Sequence, residues 1–549
     1  MKNIFHLKFL LIFFVLNQII LSQSNKFFIR LNQVGYLPDD FKSGVIISEN
    51  EISTKNFIVI NKDDNIIVYS GIVETTDKIF GKFNNNYYFD FSGLSRPGNY
   101  CIEIDDEFSN VFRIRRDVYN LVTDSLMLFF KSQRCGPSNP YLHKKCHLSD
   151  ATSIAGFTSD STVDVTGGWH DAGDYIKFFS TTALTTYLML FSYEFDSEKF
   201  DFDNDKNSVP DILEEAKIGL DWLLRCNISD SLFVLQVQDE RDHYAGWRLP
   251  ENDSLQFDRP AFTGIGKNLI GIYTAVMALA SRIWSDRFAD NDFANRCLTT
   301  AIQKYSIYQD VTDLANDQTG YYKDKVYYGK MALGAIELFI TTSNEKYLTN
   351  AINFGDSAKS DLWWSWGDIN SLAHYKIARF IPRFAKYMGQ NICYLNLQKN
   401  GSVFNEGSEY TWGTTTSILG NAFKVILYKS LTNSDKFDSL MILQRDYILG
   451  RNAWGISFIS GIGKIFPKHL HSQIAKFNNG CQPGALSAGA APKLILNNYT
   501  IVHSDSSYSY FNSEDIEYYD DWNDFITNEA TIFSNATAIF IFGYFSSGE

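Results

Sequence analysis

The stretch VPDILEEAKIGLDWLLRC, from Val209 to Cys226, decides the architecture. Pro210 suits a helix's first turn. Ile212, Leu213, Ala216, Leu220, Leu223 and Leu224 fall on one side at helical spacing. Segments of the same kind recur after Asp117. The first is VYNLVTDSLMLFFKSQR, and others begin near Thr181, Asn268, Asp292, Tyr327, Glu345, Ser371, Thr414, Ser434 and Ile526. Little strand signal lies between them. A long all-α chain of paired helices can close into a double-layered toroid with a cleft among the loops at one end. A bundle or a solenoid shares the same periodicity.

Upstream the period changes. NFIVINKDDNIIVYSG reads as two strands around a Lys-Asp-Asp-Asn turn, and YYFDFSGLSRPGNYCIEI as two more around Pro97-Gly98. Short strands over residues 27–115 predict a β-sandwich ahead of a helical domain over 117–547. The chain's 549 residues exceed one ordinary core, so a multidomain protein is expected.

The N-terminus reads as a secretory signal over residues 1–22. Lys2 and Lys8 flank the apolar run FLLIFFVLNQIILS, which is short for a membrane span. The mature chain is expected to be secreted, monomeric and without a membrane partner, with an uncleaved anchor as the alternative. Sequons at Asn227, Asn252, Asn400, Asn498 and Asn535 fit an exported glycoprotein. A formal net charge of −14 without a basic run speaks against nucleic acid. Aromatic residues make up 15% of the chain; most belong to cores, but their faces also stack on sugar rings.

Three loop clusters carry chemistry. GGWHDAGDYIKF, Gly167 to Phe178, sets Asp171 and Asp174 on one loop. QRCGPSNPYLHKKCHLSD holds Cys135, Cys146 and His147. YYDDWNDFITNEATIFSNA ends the helical part with Glu529. Cys135, Cys146, His147 and His170 suit a closed tetrahedral zinc site, and a Cys135–Cys146 disulfide fits the same spacing. Hydrolysis of a glycosidic bond needs an acid for the leaving oxygen and a base for water. A polar loop keeps the base ionised. An aromatic wall, here expected from Phe525 and Phe533, keeps the acid protonated.

These motifs resemble glycoside hydrolase family 9, the cellulase-type inverting hydrolases with an (α/α)6 barrel. GGWHDAGDYIKF is similar to that family's aspartate motif, and YYDDWNDFITNEATIFSNA to its glutamate motif. FIRLNQVGYLPDD resembles the opening of the immunoglobulin-like module found in one branch. The resemblance implies an immunoglobulin-like β-sandwich followed by an all-α (α/α)6 barrel. It implies Asp174 as general base, Asp171 as its support on the water, and Glu529 as general acid. It favours zinc at Cys135, Cys146, His147 and His170, and calcium is a further candidate cofactor. DHYAGWRLPE resembles a cleft segment, so Asp242, His243 and Trp247 join Trp169 and His471 as candidate sugar contacts.

One stretch departs from the family. Where it has Pro-His-His-Arg, this chain reads KIFPKHLHSQ; His471 matches the first His, while Ser472 and Gln473 replace the second His and the Arg. A neutral amide there replaces a bidentate guanidinium. No linker or binding module follows the barrel in this sequence, so soluble or amorphous β-glucans and cellodextrins are the expected substrates of an endo-β-1,4-glucanase. The alternatives are hydrolysis of chitosan or chitin oligosaccharides, a non-catalytic sugar-binding relative, and a zinc hydrolase with His170, Asp171 and Asp174 around a catalytic metal.

Overall fold

The computed structural model describes residues 27–157 and 161–548. The expected signal segment lies outside them. No helix among the described residues is long and apolar enough to cross a membrane.

The N-terminal part is a sandwich of short strands: β1 Phe27–Arg30, β2 Gly35–Tyr36, β3 Ser43–Ser48, β4 Asn56–Asn61, β5 Ile67–Thr76, β6 Asn85–Asp90, β7 Gly98–Ile104, β8 Glu107–Phe108 and β9 Phe112–Ile114. Their order is β1-β3-β6-β5-β4-β7-β9-β2, with β8 paired to β7. The long strand β5 joins the two sheets: Ile67–Ile72 pairs with β4, and Val73–Thr76 pairs with β6. Ile46, Phe57, Val59, Phe89, Tyr100, Ile102 and Phe112 fill the space between the sheets. Strand alternation turns Val45 and Ile47 the other way, into the core of the helical part. The sandwich therefore docks on the helices through a face of β3.

Twelve helices of nine or more residues follow among the described residues. In chain order they are α1 Asn120–Gln133, α2 Phe179–Phe195, α3 Asp211–Cys226, α4 Lys267–Phe288, α5 Asn291–Ser306, α6 Tyr328–Thr342, α7 Glu345–Ala358, α8 Asn370–Ala378, α9 Ala385–Gln398, α10 Thr414–Thr432, α11 Asp438–Ile448 and α12 Ile532–Phe545. The even-numbered helices pack each on the next, and α12 returns to α2, closing an inner ring of six. Inner helices are covered on every side, so their apolar residues run on without a polar stripe. In α12 every residue from Ile532 to Gly543 is buried. The odd-numbered helices form the outer layer, each with one apolar face, as in α3. This is the expected (α/α)6 barrel.

Two helix starts differ from the sequence reading. The segment near Ser434 becomes helical at Asp438, and the one near Ile526 only at Ile532. The Asp524 carboxylate accepts the N–H groups of Ile526 and Thr527. Gly489 and Ala488 donate to the carbonyls of Thr527 and Glu529, and Ala530 bridges to Ser487, so the chain turns at 527–528 and runs past residues 487–489 before the helix begins. Thr531 then caps α12 by accepting from Ser534. Helix α9 escaped the sequence reading because its apolar stripe of Met388, Ile392 and Leu395 is short and shares its face with the polar Asn391.

Candidate active site

Each inner helix begins at the same end of the barrel, and the long segment before each start gathers there. The GGWHDAGDYIKF loop precedes α2. It is laced to its surroundings through the backbone: His170 donates to the Gln133 carbonyl, and the Gln133 amide donates to the carbonyls of His170 and Ala172. Lys177 reaches back to the carbonyls of Val165 and Gly167 and pairs with Asp150 at 2.7 Å. Gly173 permits the closest approach. A Cβ there would lie 2.2 Å from the His471 carbonyl oxygen, and its N–H donates to Glu529 Oε1 at 3.0 Å. The aspartate loop and the distant glutamate thus meet at a glycine.

The three carboxyls occupy different environments. Asp171 is buried and accepts from the hydroxyls of Thr181 and Tyr322. Burial, with the negative charge of Asp174 added, outweighs those donors and pushes its carboxyl up to about 7. Asp174 accepts from the Ile176 N–H at 2.9 Å and pairs with His243 Nε2 at 2.9 Å. Burial works against its charge. The hydrogen bond and positive charge of His243 prevail and hold it below the usual carboxylate range. The same pair raises His243 to about 9 against its own desolvation. Glu529 has a single backbone donor; burial first, then the charge of Asp174, push it up to about 8. At neutral pH Asp174 is ionised and Glu529 is protonated.

Several candidate sugar contacts take other places. Trp169 is fully buried: its indole N–H donates to Glu215 at 2.7 Å and its ring packs on Phe130, so it anchors the loop and meets no ligand. Asp242 is also fully buried, accepting from Tyr175 N and paired with Arg248 at 2.6 Å. It braces the backbone beside Asp174. Phe533 packs against Trp364 in the core and forms no cleft wall.

His243, Trp247 and His471 do surround the carboxyls. The His471 ring lies 5.4 Å from Trp247 and 5.8 Å from Phe525, with Nδ1 2.6 Å from the Trp522 carbonyl oxygen. Gln473 is nearly buried; its Oε1 accepts the Arg248 N–H at 2.8 Å, so its side chain braces the Trp247 loop. The sequence reading missed Tyr322 on Asp171, Tyr321 beside His243, and the partly exposed rings of Trp412 and Tyr499. The last two pack on Phe525 at 5.7 and 5.3 Å and extend the aromatic wall beyond His471.

Behind the loop, Cys135, Cys146, His147 and His170 each offer a donor atom within 4.8 Å of the others, and all four are buried. His147 Nδ1 and His170 Nε2 face each other at 3.1 Å. His147 turns its other nitrogen to Asp253 at 3.0 Å, the carboxylate backing that metal-bound histidines take. No described cysteine is in a disulfide, so Cys135 and Cys146 are not bridged. His170 faces this cluster while Asp171 and Asp174 are held by other partners, so the three do not form a catalytic metal site. A second group, Asp203, Asp205 and Asp211, offers only oxygen donors, the kind calcium takes.

Two carboxyls driven to opposite protonation states in an aromatic-walled cleft are the equipment for cleaving a glycosidic bond, and the molecule is a glycoside hydrolase. Residues 119–542 match the model of glycosyl hydrolase family 9, and residues 25–109 that of the cellulase N-terminal ig-like domain. The chain belongs to glycosyl hydrolase family 9. Among similar proteins, endoglucanase D of Acetivibrio thermocellus is 24% identical over 506 residues, 84% of this chain and 78% of that protein. A xyloglucan-specific endo-β-1,4-glucanase of Bacteroides ovatus is 24% identical, covering 93% of this chain and 92% of its own length. A crystal structure of a metagenome-derived family 9 endoglucanase shares the fold with a TM-score of 0.81, at 23% identity over 95% of this chain and 99% of that one.

Proposed function

We propose that this chain is a secreted, inverting endo-β-1,4-glucanase acting on soluble β-glucans and cellodextrins. The observation that carries the reading is the pair of oppositely poised carboxyls joined through Gly173. Glu529, protonated, donates to the departing glycosidic oxygen. Asp174, ionised, takes a proton from the attacking water, and Asp171 helps hold that water. Trp247, His471, Phe525, Trp412 and Tyr499 supply stacking faces for sugar rings on one side, with His243 and Tyr321 on the other. Intact carboxyls argue against a non-catalytic relative. The test is product stereochemistry: NMR of the first-formed reducing ends from a β-linked cellodextrin shows α-anomers. Initial β-anomers would mean a covalent intermediate and overturn the mechanism.

The pH profile follows from the same pair. Activity needs Glu529 protonated, a state lost as pH rises through about 8. It needs Asp174 ionised, a state lost only as pH falls below the usual aspartate range. The log(kcat/KM) profile is therefore a bell with its alkaline limb near pH 8. His243→Asn removes a cation that lowers both carboxyls, so both limbs move to higher pH. Unmoved limbs in that variant would separate His243 from the pair.

Cys135, Cys146, His147 and His170 would hold a structural zinc. Such an ion clamps the loop before α2 to the segment after α1 and supplies no open position for chemistry. Elemental analysis is expected to find zinc bound, and stripping it to lower Tm. Cys146→Ser is expected to lose both together. An active, metal-free enzyme of unchanged Tm would exclude the clamp.

A further inference from the structure

The β-sandwich touches the two cleft segments that carry His471 and Glu529, both within the long stretch before α12. One grip is aromatic. Phe28 meets Phe511 edge-on at 4.9 Å, Phe83 stacks on Phe511 at 6.1 Å, and the Arg30 guanidinium lies 4.5 Å over the same ring. Next to it, Tyr510 donates to Glu49 at 2.7 Å, and the Lys82 ammonium sits 3.1 Å over the Tyr510 ring. The other grip is polar. The Gln33 side chain donates to the Gly455 carbonyl at 2.9 Å and accepts the N–H groups of Lys464 and Ile465 at 3.0 and 2.9 Å. It pins the turn that leads to His471.

The aromatic grip continues inward to the acid. Asn512 follows Phe511, and its Oδ1 accepts from the Trp454 indole at 2.8 Å and from Tyr518 N at 3.0 Å. The Tyr518 hydroxyl donates to Asn528 Oδ1 at 3.1 Å. Asn528 then donates to the His469 carbonyl at 2.7 Å, and its own carbonyl accepts the His471 N–H at 3.0 Å. Glu529 is the next residue. Glu529 lies before the start of α12 and its carbonyl accepts the Ala488 N–H, so helical hydrogen bonds do not fix the glutamate. The Tyr518–Asn528 bond and the strand-like pairing to residues 487–489 do so instead.

We propose that Asn512, next to Phe511 at the sandwich contact, sets the position of Glu529 through a relay by way of Tyr518 and Asn528. Asn512 is a positioning residue in this relay: it touches no substrate and acts through the segment it holds. The inference rests on the reading of Glu529 as the general acid. A misplaced acid has a signature that general loss of structure lacks. It slows substrates whose leaving group must be protonated and spares those whose leaving group departs unaided.

The experiment compares cellotetraose with 2,4-dinitrophenyl β-cellobioside, using the full-length enzyme. In Phe511→Ala and in Asn512→Ala, kcat on cellotetraose is expected to fall about 30-fold or more, within the range that a displacement of about 1 Å produces. The dinitrophenyl substrate is expected to lose less than about threefold. Asn512→Asp keeps the acceptor oxygen and is expected to restore cellotetraose turnover. If Phe511→Ala does not fold, the two Asn512 variants decide the matter. Equal losses on both substrates, or no loss on either, would overturn the relay. Glu529→Gln run alongside separates the two failures. If it does not discriminate between the substrates, the acid assignment is at fault; if it does and the Asn512 variants do not, the relay is.

Discussion

Glu529→Gln leaves a folded enzyme whose turnover of unactivated cellodextrins is expected to fall by about two to four orders of magnitude, the range that general acid catalysis supplies. The amide keeps the size of the side chain and an oxygen to accept the Gly173 N–H, now at 3.0 Å. The fold therefore has little reason to respond. What is lost is a proton that burial and the Asp174 charge keep on the carboxyl up to about pH 8. The alkaline limb of the pH profile is expected to disappear with it. Kinetics on cellotetraose across pH, with Tm as the control for folding, check both points. Near wild-type turnover in the variant would require another acid, and the described cleft offers Asp171 as the next carboxyl.

The barrel was legible because its signal is local and repeated. Segments such as Val209–Cys226 announce an outer helix by their one apolar face. The inner helices betray themselves by lacking a polar stripe. The residues that gather at the cleft were legible where they lie within one short motif. Asp171, Asp174 and His170 come on a single loop, and Cys135, Cys146 and His147 on another, so convergence needed only those two loops to meet.

Orientation was not legible. Trp169 sits two residues from Asp171, yet its ring points into the core toward Glu215. Asp242 neighbours His243, yet one is buried against Arg248 while the other reaches Asp174. Residues one or two apart on a loop or a single helical turn face different ways, and composition does not say which way is the cleft. Tyr322, Trp412 and Tyr499 escaped notice for another reason. Each lies on a separate loop with no motif around it, and only closure of the inner ring brings those loops together.

Asp174→Asn is expected to be at least as damaging as the glutamate substitution. An amide cannot take the proton of the attacking water, and no other ionised carboxyl is poised as Asp174 is. Its ionisation is built in by two donors, the Ile176 N–H and His243, both at 2.9 Å. Asparagine can retain one acceptor oxygen for Ile176, but it gives up the charge that raises His243 to about 9. His243 then reverts toward an ordinary imidazole, visible as a fall in its NMR titration midpoint. The same loss removes the negative charge that helps keep Glu529 protonated, so the acid is weakened along with the base. Turnover of cellodextrins is expected to fall by about two to four orders of magnitude. Asp171→Asn is expected to cost no more than this, because its carboxyl is held by two hydroxyls and its proposed role is only to support the water. Single-turnover rates of the two variants on cellotetraose decide the order. An active Asp174→Asn beside an inactive Asp171→Asn would exchange the roles of the two aspartates while leaving Glu529 as the acid.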